Sequence, residues 1–233
     1  MRLAVLFSGG KDSVYACRLA MEADEVSCLI TLISDSPESY MFHTPNIRWT
    51  GLQAEALGIA RLAWRTSGAK EEELLDLRAA MAAAAEEYGI QGIVTGAIES
   101  VYQASRVQRI CSDLSLRCFN PLWHVDQIEH LRRLCREGYR TIISGVYAYP
   151  FDSSWLGAEL NEPRILVLEE MQRRYRINPS GEGGEMETFV LDCPIFKKRI
   201  EVVRAEQVYA NYSGQYIIHE ARLVDKLGHS PSP

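Results

Sequence analysis

The sequence has no stretch approaching the roughly 20 continuous apolar residues that a bilayer-spanning helix requires. From Met1 it runs directly into a strand pattern, with no small-residue cleavage site, so a cytoplasmic location away from membranes is expected. Its six cysteines, Cys17, Cys28, Cys111, Cys118, Cys135 and Cys193, form no CxxC pair and no short ligand spacing. Most lie inside apolar runs, which reads as free buried thiols and not as a disulfide framework. His124, His130, His219 and His229 show no metal-ligand spacing either. Excess positive charge is also missing. With 25 Lys and Arg against 31 Asp and Glu, the formal net charge is -6. Direct nucleic-acid binding is not expected, because a broad footprint needs clustered cations to displace counterions. No repeat of solenoid length is present.

What the sequence does contain is an ordinary globular composition, 47% apolar and 24% charged over 233 residues, enough for one large domain or two modest ones. Arg2 to Phe7 is a short apolar run, and after a turn at Ser8 to Lys11 the apolar residues Val14, Cys17 and Met21 recur at helical spacing. The rhythm repeats. Val26 to Ile33 reads as a second strand, and Thr44 with Pro45 opens a helix that Gly58 stops. Leu62 to Trp64 is a weak third strand. Leu74, Leu77, Met81 and Tyr88 mark a helix ended by Gly89, and Ile93 with Val94 forms a buried strand that stops at Gly96. Helices are predicted over Ser100 to Leu114 and Asp126 to Glu137, and Thr141 to Val146 supplies the following strand.

Continuous apolar strands separated by amphipathic helices predict an α/β fold, a parallel sheet covered by helices on both faces. After Tyr149 the rhythm changes. Pro163 to Tyr175 reads as a helix, but Thr188 to Leu191, Ile200 to Arg204 and Tyr216 to Leu223 read as strands with no helices between them. The expected organisation is a first domain over 1–149, a smaller α+β domain over 150–226, and a tail over 227–233 with nothing to bury.

Ser8-Gly9-Gly10-Lys11-Asp12-Ser13 stands between a buried strand and the first turn of a helix. There a helix N-terminus presents unpaired N–H groups to an anion. Two glycines let the backbone approach a phosphate, Ser8 and Ser13 offer hydroxyl donors, and Lys11 adds a positive charge. Neither GxxxxGK[ST] nor GxGxxG occurs in this stretch, so phosphate would be held in another way. The alternative is a polar turn in which Asp12 or Ser13 only caps the helix. A carboxylate beside a polyphosphate repels it unless a cation stands between, so Asp12 is a candidate ligand for Mg²⁺, with simple capping the competing reading.

The SGGKDS loop resembles the pyrophosphate loop of the ATP pyrophosphatase superfamily, whose fold is adenine nucleotide alpha hydrolase-like. Ser39-Tyr40-Met41-Phe42-His43-Thr44-Pro45-Asn46 resembles the diphthine-ammonia ligase family within it. So do Gly96 to Ser100 with Tyr102, Gln103 and Arg106, and Gly181-Glu182-Gly183-Gly184-Glu185-Met186-Glu187-Thr188. Pro121-Leu122-Trp123 and Ser154 to Gly157 are similar to that family too. Ala60 departs from it, where proline is frequent after the Gly58-Ile59 pair, and affects only a loop.

The resemblance implies that ATP is cleaved between its α and β phosphates to adenylate a carboxyl group. Ammonia then amidates diphthine on translation elongation factor 2, giving diphthamide, AMP and pyrophosphate. It implies ATP contacts from Ser8, Gly9, Gly10, Lys11, Asp12, Ser13, His43 and Gly96, with Mg²⁺ at Asp12. Substrate contacts would come from Tyr102, Gln103, Arg106, Glu182, Gly183, Gly184, Glu185, Glu187 and Thr188. Catalytic roles would fall to Lys11, Asp12, Glu185 and Glu187.

Three glutamates beside an ATP site suit a cation, either the trimethylammonium of diphthine or an ammonium ion that must lose a proton. A solvated acidic loop is the competing reading. Tyr102 and Arg106 share a helix face, and Arg106 would grip a carboxylate or phosphate or else be an ordinary surface arginine. His43 is a nucleotide contact or simply structural. Two other functions are compatible with the first loop: a transfer-RNA-modifying enzyme of the same superfamily, which predicts a basic surface and often cysteine pairs, or a nucleotide sensor with no chemistry.

Overall fold

A computed structural model describes residues 1–34, 46–68 and 72–226. The first apolar run forms β1, Arg2–Leu6, and the chain turns into α1, Lys11–Ala23. β2, Glu25–Ser34, comes next. A short 3-10 turn, Ile47–Trp49, leads into α2, Thr50–Leu57. Gly58 closes that helix at φ 72°, a left-handed conformation that its missing Cβ permits. The cap expected at Thr44 and Pro45 lies outside the described residues. β3, Ala60–Thr66, is longer than the weak signal at Leu62 to Trp64 suggested. α3, Glu72–Tyr88, β4, Gly92–Val94, α4, Val101–Asp113, and β5, Arg117–Phe119, complete this part.

These strands form a parallel sheet in the order β3-β2-β1-β4-β5. β5 went unread in the sequence, because three residues carry too little periodicity to register. Within β1 the side chains alternate between two cores, as a sheet buried on both faces requires. Leu3 and Val5 join Val14 and Cys17 of α1 and Leu57 of α2, whereas Ala4 joins Leu77 and Met81 of α3 and Val107 of α4. The chain winds away from β1 in one direction through β2 and β3, then restarts on its other side at β4. A crevice therefore opens at the carboxyl ends of β1 and β4, the switch point at which such sheets bind ligands.

The remaining elements are α5, Gln127–Arg136, β6, Arg140–Val146, a 3-10 turn, Ser153–Trp155, α6, Glu162–Tyr175, β7, Met186–Asp192, β8, Arg199–Ala210, and β9, Ser213–Val224. α6 starts where Asn161 accepts from the Arg164 N–H at 3.1 Å, with Pro163 in the first turn. A four-stranded sheet of order β7-β6-β9-β8 results, with antiparallel pairings. This corrects the placement of Thr141 to Val146: β6 pairs with β7 and β9 and does not extend the parallel sheet. A strand buried on both faces and preceded by a helix reads alike in either sheet, so periodicity cannot assign it. Ile143 and Phe189 share one core with Val14 and Cys17, so α1 packs between the two sheets.

All six cysteines are free, with Cys118 and Cys135 only half-buried. Among the described residues no helix is long and apolar enough to cross a membrane.

Candidate active site

The loop from Ser8 to Ser13 lies at the carboxyl end of β1, where Gly9 adopts φ 80° and Gly10 is the N-cap of α1. Its shape is fixed from three sides. The Gly10 N–H donates to Ser8 Oγ at 3.4 Å, and Ser13 Oγ donates to the Gly10 carbonyl at 3.0 Å. The buried Gln53 amide donates to the Gly9 and Val190 carbonyls, at 2.9 and 2.8 Å. The Val190 N–H donates to the Gly9 carbonyl at 3.0 Å, and the Lys11 N–H donates to Thr188 Oγ1 at 3.1 Å. Strand β7 of the second sheet is thereby bolted to the loop at the end of the first. Gly96 meets it from the other side: a Cβ there would stand 2.7 Å from the Asp12 backbone carbon, so only glycine lets the β4 loop reach the start of α1.

Lys11 is 2% exposed, and its ammonium donates to the Ser180 carbonyl and, at 2.8 Å, to Asp12 Oδ2. The other Asp12 oxygen lies 2.9 Å from Nε2 of the buried His130, on α5. Burial alone would raise the Asp12 carboxyl, but the charge of Lys11 and the hydrogen bond from His130 outweigh it and hold the group below its ordinary value. Both oxygens keep lone pairs for a further partner. His130 has no motif around it in the sequence. The signal that would have found it is spatial: its ring sits edge-on to Tyr15, one turn along α1 from the loop.

The glycine-glutamate segment folds as a tight loop before β7. Gly181 takes φ 82°, and a Cβ on it would lie 2.3 Å from the Met186 carbonyl oxygen. Its three carboxylates have separate environments. Glu182 Oε2 accepts from the N–H groups of Glu99 and Ser100, at 2.9 and 3.0 Å, just ahead of α4. Glu185 accepts from the Asn178 backbone and side-chain amides and from the Gly183 N–H, each at 2.9 Å. Both carboxylates hold backbone in place. Glu187 instead faces the space beside Lys11 and Asp12. Burial pushes its carboxyl up to about 7, with Asp12 adding to the rise and Lys11 opposing it.

A cavity of about 340 Å³ gathers these groups. Ser8, Gly10, Lys11, Asp12, Ser13, Gly96 and Gln103 line it, as do Glu182, Gly183, Gly184, Glu187 and Thr188. Ile30, Leu32, Leu77 and Val107 add an apolar wall to the lining. Gly9, Tyr102, Arg106 and Glu185 are not among the lining residues. Arg106 stacks on Tyr102 with its guanidinium 3.3 Å from the ring centroid and donates to the Tyr102 carbonyl at 3.1 Å, while its buried Nε finds no partner among the described residues. His43 lies outside the described residues.

The two-part architecture matches two family models in series. That described as the diphthamide synthase N-terminal domain matches residues 1–118, and that described as the C-terminal domain matches residues 126–224. The chain belongs to the diphthamide synthase family. Among curated relatives, diphthine–ammonia ligase of Rattus norvegicus is 35% identical over 231 residues, covering 89% of this chain and 85% of the relative. Diphthine–ammonia ligase of Homo sapiens is 33% identical over 228 residues with the same coverage. A solved structure described as a predicted subunit of a tRNA methyltransferase from Methanocaldococcus jannaschii has 18% identity and a TM-score of 0.45. It covers 83% of this chain and 98% of that one, and nothing about this chain follows from a likeness at that level. As a member of the diphthamide synthase family the chain is an enzyme, a ligase.

Among the described residues no group of three or more His, Cys, Asp or Glu is placed to hold a metal. The Asp12 carboxylate at the start of α1 nevertheless fits Mg²⁺ chemically, since that ion takes one or two carboxylates together with substrate phosphates and water.

Proposed function

We propose that this enzyme amidates protein-borne diphthine on elongation factor 2 with ammonia, driven by conversion of ATP to AMP and pyrophosphate. The observation that carries this reading is that Lys11, Asp12 and Glu187 line one cavity, while the other two glutamates of the motif are engaged in holding backbone. The apolar wall suits the base of ATP, and the loop from Ser8 to Ser13 suits its phosphates. The diphthine carboxylate attacks the α-phosphorus and the bond to the β-phosphate oxygen breaks. Lys11 and the N–H groups at the start of α1 stabilise the charge that develops on departing pyrophosphate. Asp12 would hold Mg²⁺, which supplies further positive charge to the phosphates. The product of this step is a mixed anhydride, whose leaving group is AMP and no longer oxide.

Ammonia then attacks the acyl carbon and AMP departs. Ammonium has no lone pair to attack with, so a group in the cavity must take a proton from it. We assign that task to Glu187, which lines the cavity with Lys11 and Asp12 and whose carboxyl burial pushes up to about 7. Glu185, which the sequence left equal with it, serves the loop.

The test incubates the protein with ATP, Mg²⁺, ammonium and diphthine-bearing elongation factor 2. Expected products are AMP, pyrophosphate and a diphthamide residue detected by mass spectrometry, in equal amounts. Stoichiometric ADP, or AMP formed with no change in the factor, would refute the reading.

A further inference from the structure

Three tyrosines stand together on the surface beyond the glycine-glutamate loop. Tyr149 follows β6, Tyr175 ends α6, and Tyr212 sits at the tip of the β8–β9 hairpin; they are 54%, 38% and 48% exposed. The Tyr149 ring meets Tyr175 edge-on at a centroid distance of 5.2 Å and Tyr212 at 5.1 Å. Three parts of the chain distant in sequence thus converge on one exposed aromatic patch.

Its position ties it to the cavity. Two residues before Tyr149, the Tyr147 N–H donates to the Glu185 carbonyl at 2.9 Å. Three residues after Tyr175, Asn178 donates to the Glu185 carboxylate. The segments that carry two of the rings therefore grip the loop whose Glu182, Gly183 and Gly184 line the cavity. A carboxyl group borne on a protein side chain reaches only a few bonds beyond its own backbone. The protein that delivers it must press its surface against the cavity's rim.

A second observation concerns Tyr212 itself. Ala210 pairs with Ser213, leaving a two-residue turn in which Asn211 and Tyr212 have φ of 51° and 60°. Such a turn favours Asn followed by Gly, because both central residues are left-handed. Asn suits its position. A bulky ring at the second is an outlier of the kind that collects at binding sites. Arg174 already lies over the Tyr175 ring at 5.5 Å, so the patch carries its own cation and disfavours a basic partner surface.

We propose that Tyr149, Tyr175 and Tyr212 form the docking patch for the folded protein that carries the diphthine residue, seating an apolar, non-basic part of its surface beside the cavity. The proposal rests on the reading above that the substrate is borne on a protein.

The experiment measures binding of diphthine-bearing elongation factor 2 to immobilised full-length enzyme by interferometry, for wild type, Tyr212→Gly and Tyr149→Ala. Tyr212→Gly removes the ring and relaxes the turn, so its melting temperature should equal or exceed that of wild type. Its Kd for the factor should rise about tenfold or more, as expected for loss of a central aromatic anchor. ATP affinity should not change in either variant. Wild-type affinity for the factor in both variants would overturn the proposal, as would absence of binding by the wild-type enzyme. Amidation is assayed separately on the same preparations. Tyrosine-dependent binding without amide formation would sink the assigned reaction and leave the patch standing, whereas amide formation with unaltered Kd in both variants would do the reverse.

Discussion

Replacing Glu187 by Gln gives opposite effects on stability and on activity, and both follow from its burial. The carboxyl is lifted from its ordinary 4.5 to about 7, first by loss of water and then by Asp12, with Lys11 opposing. That difference corresponds to about 3 kcal/mol of preference for the neutral acid in the folded protein. The folded state thus binds more protons than the unfolded chain between pH 4.5 and about 7, so stability falls as pH rises through that window and stays lower above it. Glutamine keeps the shape and never ionises. In Mg²⁺-free buffer at pH 5 the variant should melt only about 2–3 °C higher, since the folded state is neutral in both proteins and only the unfolded glutamate ionises there. At pH 8.5 the variant should melt higher by roughly 5 °C or more, given about 2–4 °C per kcal/mol for a chain of this size.

Amidation should move the other way. Loss of a positioned proton acceptor lowers turnover by about 10²- to 10⁴-fold. At a fixed total ammonium concentration the wild-type amidation rate should rise with pH and level off above about 7 once Glu187 is ionised, whereas the variant, dependent on free ammonia, should go on rising. ATP affinity, set at the loop from Ser8 to Ser13, should stay within a few-fold of wild type. Scanning calorimetry at the two pH values, with mass spectrometry of the factor across a pH series, reads both effects. Equal melting differences at pH 5 and 8.5 would refute the burial argument, and an unaltered amidation rate would refute the assignment of the base.

Three further perturbations probe the loop. Lys11→Ala should reduce AMP formation by about 10²- to 10³-fold while the protein stays folded, the magnitude typical of one lost transition-state donor; a full rate would return Lys11 to a structural role. His130→Ala frees one Asp12 oxygen and should weaken apparent Mg²⁺ affinity, titrated with an ATP analogue present, by about 10- to 100-fold. His130→Gln should recover part of that by restoring a donor, and identical Mg²⁺ titrations for wild type and both variants would count against a role for the His130–Asp12 hydrogen bond. Gly96→Ala places a Cβ 2.7 Å from the Asp12 backbone and should lower stability by about 1–3 kcal/mol and weaken ATP binding; calorimetry showing wild-type ATP affinity would mean that the loops shift without consequence.

Much of the architecture was legible in the residues. The runs read at Arg2 to Phe7 and Val26 to Ile33, which the structure sets at Arg2–Leu6 and Glu25–Ser34, the stops at Gly58, Gly89 and Gly138, and the helical stripe through Leu77 and Met81 are local patterns that local physics produces. The loop between β1 and α1 was legible for the same reason, since paired glycines, hydroxyls and lysine at a strand-to-helix junction have few other uses. Tertiary pairing decided the rest. Whether β6 extends the parallel sheet or starts the antiparallel one depends on which edges are free to hydrogen-bond, and its apolar run satisfies either. Glu182, Glu185 and Glu187 are chemically alike in a six-residue window, and only the donors brought to them by Asn178, Gly183, Glu99 and Ser100 set two aside for structure. His130 lies 118 residues from Asp12, and Tyr149, Tyr175 and Tyr212 are far apart in sequence. Such contacts have no sequence period, because they arise from the packing of whole elements and not from the chain's own repeat.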